Sequence, residues 1–295
     1  MTRDCWAEWI LNRRFGGDER AAAEMLDGLG KVRDRVLDHA EVRDGETVLD
    51  VGSGDGLIAF GALERVGASG RVIFSDVSQD LLDVSRELAD GDPRCEFVLA
   101  GAEDLAPIAD ESVDVITTRS VIIYVSDKRA AFDEFFRVLR PAGRLSMFEP
   151  INRFAYPEPD GVFLGLDVQE IWPLARRVRD RFNQMAGDDG AMVDFDERDL
   201  LDLARGAGFP SVDVEFEARI ERGRMWGREP PPFGQLLRTA PNPNAPTFEE
   251  VFAAELTADE LERFLAYVKP RYEASQMTGR SAVAYVRARR LRDSG

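Results

Sequence analysis

An α/β fold, doubly wound around a mostly parallel seven-stranded sheet with helical lid insertions, is predicted for this 295-residue chain by three observations. Short apolar runs alternate with helical patterns from Thr47 to Phe148. The first run, Val48–Val51, breaks into Gly52, Gly54 and Gly56 at alternate positions. The second ends on an acid, Asp76. Strand–helix alternation of this kind implies a parallel sheet with helices on both faces.

Residues 5–40 read as helices, with Trp6, Trp9, Ile10, Met25, Leu26 and Leu29 at helical spacing and Gly16-Gly17 as a break. Strands are expected at Thr47–Val51, Arg71–Ser75, Cys95–Leu99, Val113–Thr117 and Arg144–Phe148. Between them lie helices at Leu57–Val66, Gln79–Ala89 (capped by Ser78) and Asp127–Leu139, the last ended by Pro141-Ala142-Gly143. After Pro150 the rhythm breaks into a loop rich in Pro, Gly and aromatics. Helices are expected at Asp167–Met185, Glu197–Ala207 and Thr257–Glu273, with strands at Ser211–Ile220 and Ser281–Ala288 and an irregular excursion at 222–246. The expected partition is a single domain over 1–295. Its core sheet comes from about 41–150, 196–220 and 278–290, and its lid from about 1–40, 151–195 and 222–275.

The formal net charge of -17 argues against a nucleic-acid surface, since phosphate binding needs clustered cations. No apolar run reaches the ~20 residues of a membrane span. The N-terminus lacks an apolar signal core, so a cytoplasmic location is expected. Cys5 and Cys95 fit no metal spacing, and no metal ligand set is expected. The one histidine, His39, lies in an expected helix and is a poor catalytic base candidate.

The glycines at 52, 54 and 56 remove Cβ atoms where a strand turns into a helix, so the backbone can approach a ligand closely. Asp50 just before the turn would repel a pyrophosphate and suits a cationic group such as an amine. Asp76 ends the next strand, where a carboxylate can accept both hydroxyls of a ribose. Ala102-Glu103-Asp104 follows the third strand, where an acid-bearing turn can meet an adenine amino group, and Thr118-Arg119-Ser120 follows the fourth.

In this order, Val48–Gly56, Phe74–Ser78, Gly101–Leu105 and Val113–Ser120 resemble the motifs of the class I S-adenosylmethionine-dependent methyltransferases, which have a Rossmann-like sheet. Phe132–Leu145 is similar to the small-molecule branch related to ubiquinone and menaquinone methyltransferases, with Ala142 where a second glycine is frequent. The resemblance implies S-adenosylmethionine as cofactor. It implies that Asp50 and Gly52 hold the methionine moiety, that Gly54 allows close approach, and that Ser53, Gly56, Val77 and Arg119 also belong to the cofactor site. Asp76 would bind the ribose, and Glu103 or its neighbour Ala102 would meet the adenine.

The acceptor is expected to be a small molecule of secondary metabolism. Glu170, in an apolar helix start with Val168, Ile171 and Trp172, is the candidate base, and Tyr124 a candidate acceptor contact. Trp172, Arg176 and Trp226 are candidate substrate-binding residues among arginine and aromatic clusters in the insertions. These point to carbon methylation of an apolar acceptor with an anionic head, for example an isoprenoid diphosphate, similar in outline to some bacterial terpene-precursor carbon methyltransferases. Magnesium enters only if a diphosphate binds. Oxygen or nitrogen methylation of an aromatic or amine metabolite, and a non-catalytic cofactor-binding protein, stay open as alternatives, as does homo-oligomerisation.

Overall fold

The computed structural model describes residues 3–16, 19–186 and 190–291, with the side chains of all of these except 19–27. Gly17 and the side chains of Met25 and Leu26 therefore lie outside the described residues. Five parallel strands carry the first half of the chain: β1 (Thr47–Val51), β2 (Arg71–Asp76), β3 (Cys95–Leu99), β4 (Val113–Arg119) and β5 (Leu139–Pro150). Two short strands, β6 (Val162–Phe163) and β7 (Leu166–Asp167), form a separate ladder. The long strands β8 (Ser211–Arg222) and β9 (Thr278–Arg289) complete the main sheet.

The sheet order is β3-β2-β1-β4-β5-β9-β8, with β9 antiparallel to both β5 and β8. Strand order reverses between β1 and β4, so the turn after β1 opens into the crevice where doubly wound sheets take ligands. All five residues of β1 are buried, as a central strand covered on both faces requires.

The helices are α1 (Cys5–Leu11), α2 (Glu19–Ala40), α3 (Leu57–Leu63), α4 (Gln79–Leu88) and α5 (Lys128–Val138), followed by α6 (Trp172–Ala186) and α7 (Glu197–Ala207). Three more, α8 (Phe233–Arg238), α9 (Phe248–Glu255) and α10 (Ala258–Glu273), lie between β8 and β9. The expected caps form. The Ser78 hydroxyl accepts from the Leu81 N–H at 3.1 Å, Thr257 and Glu260 make a capping box, and Gly208 ends α7 at φ +114°.

Several expectations shift. Pro141–Gly143 does not end a helix but lies inside β5, which starts at Leu139. Ala142 takes φ +66° there, and β4 and β5 change register between Val113 and Val115. The helix expected from Asp167 begins only at Trp172, because Asp167 pairs with Val162 in the small ladder. This leaves Pro173 in the first turn, where its missing N–H costs no intrahelical bond. α8 and α9 have no counterpart in the sequence reading; one sits in the irregular excursion and the other just after it.

The packing also redraws the lid. Val36, Leu37 and Ala40 of α2 are fully buried against Val48, Val72 and Val115 of the sheet. The described C-terminal part of α2 thus belongs to the core layer, while α1 and the turn after it reach the lid. The insertions have an apolar core of their own, in which Phe163, Leu174, Phe252, Phe264 and Val268 are buried together. Among the described residues no helix is long and apolar enough to cross a membrane.

Candidate active site

The turn after β1 is built by its glycines. Gly52, Gly54 and Gly56 all take positive φ, at +66°, +57° and +88°, a region in which side chains with a Cβ are strained. A Cβ on Gly52 would lie 2.4 Å from Val121 Cγ2, and one on Gly56 would lie 2.5 Å from Phe60 Cε2. At Gly54 the nearest atom is Ile10 Cδ1 of α1, at 3.5 Å. A Cβ on Gly54 would thus meet, among the described residues, a side chain from α1.

Two acids brace this turn. Asp76 accepts from the Gly54 N–H at 2.8 Å and the Ser78 N–H at 2.9 Å. Burial raises its carboxyl above the ordinary value against those bonds. Asp50 is fully enclosed and accepts from the Thr117 hydroxyl at 2.7 Å. Burial pushes Asp50 up to about 7, opposed by the Thr117 bond and the nearby Arg119 charge. Two buried hydroxyl oxygens at the same strand ends, Ser53 Oγ and Thr118 Oγ1, have no protein partner among the described residues.

A third buried acid shapes the turn after β4. Glu149, at the end of β5, accepts from the N–H groups of Val121, Ile122 and Ile123 at 2.9, 3.0 and 3.3 Å. Burial pushes it up to about 7 in spite of these bonds. Ser120, at φ +56°, redirects the chain so that those N–H groups face the carboxylate. The result holds Tyr124 beside the glycine turn, with its phenol pushed up to about 12 by burial.

α1 covers this end of the sheet. Asp4 caps it by accepting from the Trp6 and Ala7 N–H groups, and the same side chain accepts from the Ser78 hydroxyl at 2.7 Å. The Asp4 N–H reaches Asp80 at 2.6 Å. On the other side Trp9 Nε1 donates to the Ala240 carbonyl at 2.8 Å, and Arg13 pairs with Glu250 at 2.8 Å. Thus α1 links the core turn after β2 to the lid. Its Trp6 and Trp9 stand edge-on to Tyr124, with ring centroids at 4.9 and 6.2 Å.

The remaining sequence candidates divide. Val77 is 56% exposed beside Gly101, whose Cβ would come within 3.0 Å of it, and Ala102 is buried next to them. This gives an apolar shelf beyond Asp76. Glu103 is exposed and accepts from the Asp127 N–H, which ties it to the start of α5. Arg119 lies at the end of β4, and its guanidinium makes no hydrogen bond or ion pair with a described residue. Its charge is felt by both Asp50 and Glu149.

The expected base does not fit. Glu170 is exposed, not enclosed among Val168, Ile171 and Trp172, because the short helical turn Gln169–Ile171 carries it away from the buried Val168. Trp172 packs at the edge of the lid core with the Arg179 guanidinium over its ring at 4.6 Å, and Arg176 is exposed on α6. Arg177 is held by Glu255 and Glu260. These are lid-building contacts, so the substrate roles expected for Trp172 and Arg176 find no support. Trp226 donates to the Tyr156 hydroxyl at 2.7 Å and stays partly exposed. His39 sits away from the turn, against Glu215 and Tyr285 of β8 and β9.

Comparison with known proteins agrees with this geometry. A family described as a methyltransferase domain matches residues 49–147, the stretch from the glycine turn to β5. The ubiquinone/menaquinone biosynthesis C-methyltransferase UbiE of Klebsiella pneumoniae is 31% identical over 187 residues, which are 60% of this chain and 72% of that protein. The chain belongs to the class I S-adenosylmethionine-dependent methyltransferases related to UbiE. An arsenite methyltransferase of Halobacterium salinarum is 36% identical over 151 residues, 50% of this chain but only 38% of that protein. The phosphoethanolamine N-methyltransferase 2 of Haemonchus contortus, solved with S-adenosyl-L-methionine, shares the fold at 18% identity and a TM-score of 0.51, covering 97% of this chain and 56% of that one.

S-adenosylmethionine is the cofactor of this methyltransferase class, and the residues fit it. Gly54 leaves a cradle that a Cβ would narrow, and Ser53 and Thr118 offer unpaired buried hydroxyls. Asp76 keeps lone pairs for hydroxyls beside the exposed Val77. Asp50, Ser53, Gly54 and Asp76 were already singled out in the sequence. Glu149 and Asp4 were not, nor was the bridging position of Trp6 and Trp9, although the Trp6–Trp9 spacing on one helix and the acid before Pro150 were available signals.

Proposed function

We propose that this methyltransferase methylates a carbon atom of a small apolar acceptor with an anionic head, of which an isoprenoid diphosphate is one example. When bound, S-adenosylmethionine supplies a methyl group carried on a sulfonium. The observation that carries the reading is the aromatic wall of Trp6, Trp9 and Tyr124, set by α1 against the glycine turn. When one alkene carbon bonds to the methyl group as the methyl–sulfur bond breaks, the neighbouring carbon becomes cationic until a proton leaves to the acceptor's own anionic head or to water, and aromatic faces stabilise such charge. The kinship with a C-methyltransferase supports carbon as the atom.

The chain's own residues then position the acceptor. Tyr124 keeps its proton at neutral pH, since its phenol titrates near 12, so it orients the acceptor by donating a hydrogen bond and does not act as the base. α1 closes the site by contacts to both Ser78 and Ala240. Magnesium remains tied to a diphosphate acceptor; no cluster of three candidate metal ligands occurs among the described residues.

The test is methyl transfer from isotopically labelled S-adenosylmethionine to isoprenoid diphosphates, with and without magnesium, and to phenolic and amine metabolites. A new carbon–carbon bond in the product is the expected result. Label found only on oxygen or nitrogen rejects carbon as the acceptor atom. Cofactor binding without transfer to any acceptor supports the non-catalytic alternative.

A further inference from the structure

The two edges of the main sheet differ. One is β3, only five residues long. The other is β8, which runs for twelve. β8 pairs with β9 in one unbroken register, from Ser211 opposite Arg289 to Arg222 opposite Thr278. It contains neither a proline nor a bulge, two devices by which edge strands avoid further pairing.

The hydrogen-bond pattern fixes which backbone groups of β8 face outward. The Gly223 N–H, just past the strand, donates to the Met277 carbonyl at 2.8 Å, so odd-numbered residues of β8 bond to β9. Across β9, the Arg290 N–H donates to the Gly143 carbonyl at 2.9 Å, so the even-numbered residues of β9 turn to β5 and its odd-numbered ones to β8. The N–H and C=O groups of Val212, Val214, Phe216, Ala218, Ile220 and Arg222 therefore point away from the sheet. No described residue bonds to them.

The side chains of this edge alternate. Phe216 is 40% exposed, Ile220 58% exposed, and Ala218 between them is exposed on the same face. The opposite face carries Glu215, Glu217, Arg219 and Glu221. Arg35 holds Glu215 at 2.6 Å and Glu217 at 2.5 Å, and Arg287 also approaches Glu215 at 3.4 Å. Arg219 meets one acid, Glu217, at a long 3.4 Å.

We infer that β8 pairs antiparallel with β8 of a second copy of this chain, about a two-fold axis at Ala218. Charge selects that axis. It sets Glu217 of each copy opposite Arg219 of the other, and Phe216 opposite Ile220, so the exposed apolar side chains cover one another. The outward groups at 216, 218 and 220 then face outward groups of the same parity and can bond. An axis at Glu217 or Arg219 would set a charge against its own copy, and one at Phe216 would set Glu215 against Glu217. At Ala218 the one like-charged pair is Glu215 with Glu221, and Glu215 is already neutralised by Arg35 and Arg287. The dimer is independent of which acceptor atom is methylated.

Sedimentation of the full chain over a concentration series is the test. A species of twice the chain mass is expected. Ala218→Pro deletes an outward N–H that β9 does not use, and should raise the dimer dissociation constant about tenfold or more. Arg219→Glu should raise it as well, and adding Glu217→Arg should bring it back to within about threefold of the original, since the opposed charges are then exchanged and not lost. Affinity for S-adenosylhomocysteine should change less than about threefold in each variant, because β8 lies at the far edge from the glycine turn. Should Ala218→Pro fail to fold, Ile220→Lys replaces it, at a side chain that is already exposed. A monomer at every concentration up to about 100 μM overturns the pairing. So does a dimer that neither Ala218→Pro nor Ile220→Lys weakens, or growth beyond the dimer, which a closed two-fold forbids. Failure of the charge exchange to restore association overturns the axis at Ala218.

Discussion

Gly52→Ala separates two costs that the geometry of the glycine turn imposes together. Gly52 sits at φ +66°, where an alanine costs about 1–2 kcal/mol whatever surrounds it. Its new Cβ would also lie 2.4 Å from Val121 Cγ2, an overlap that forces a stiff β-branched side chain or the backbone to move, at about 1–3 kcal/mol. The sum is about 2–5 kcal/mol. Val121→Ala removes the overlapping atoms and leaves Val121 Cβ at 3.5 Å from the new methyl, an ordinary contact. The double variant should therefore recover the steric part, about 1–3 kcal/mol, and keep the φ part. Urea unfolding of the four proteins measures the cycle, and calorimetry with S-adenosylhomocysteine reports whether the turn still binds cofactor. A coupling energy within about 0.5 kcal/mol of zero would show that Val121 is not what restricts this position, and the packing argument would fail.

Asp76→Ala should weaken S-adenosylhomocysteine binding by about ten- to a hundredfold, the range for one lost hydrogen bond to a charged group; affinity unchanged by calorimetry rejects its ribose role. Asp50 and Glu149 are raised from 3.8 and 4.5 to about 7, so the unfolded chain ionises first: their share of stability is complete below about pH 4 and declines as pH rises towards 7. Asp50→Asn and Glu149→Gln should each flatten that decline in thermal melts of the cofactor-free protein between about pH 4.5 and 8, and an unaltered profile in both refutes the assignment. Glu170→Gln should keep kcat within about twofold, as expected of an exposed surface change; abolished turnover with intact cofactor affinity would restore Glu170 as the base. Trp9→Ala should lower stability by about 3–5 kcal/mol, because the indole is buried and holds the Ala240 carbonyl; a loss below about 1 kcal/mol in urea unfolding would mean that α1 is not anchored there.

The glycine turn and the acids that brace it were readable because each of their parts is local. Gly52, Gly54 and Gly56 reveal their role through a backbone need that no other residue meets, and Asp50 and Asp76 stand at strand ends that periodicity locates. Even the cap at Ser78 follows from its neighbours. The errors came where distant segments meet. Nothing near Glu170 in sequence says that the turn at 169–171 carries it outward, and nothing near Arg177 says that Glu255 and Glu260 will take its charge. Pro141–Gly143 reads as a helix end but is carried inside β5 as the irregular stretch between Leu139, paired with Val113, and Arg144, paired with Val115, so tertiary pairing on either side overrides the local signal.

The same reasoning explains why the residues of the proposed acceptor wall gather on α1. An N-terminal helix is free of the strand–helix rhythm, so its side chains answer to the two surfaces it bridges. Asp4 meets Ser78 of the core, Trp9 meets Ala240 of the lid, and Trp6 and Ile10 fill the space above Tyr124 and Gly54. Each contact spans more than 40 residues of sequence, and its loop-closure entropy must be met by packing elsewhere. A change of acceptor can then be accommodated by altering α1 while the glycine turn and the acids that brace it stay fixed.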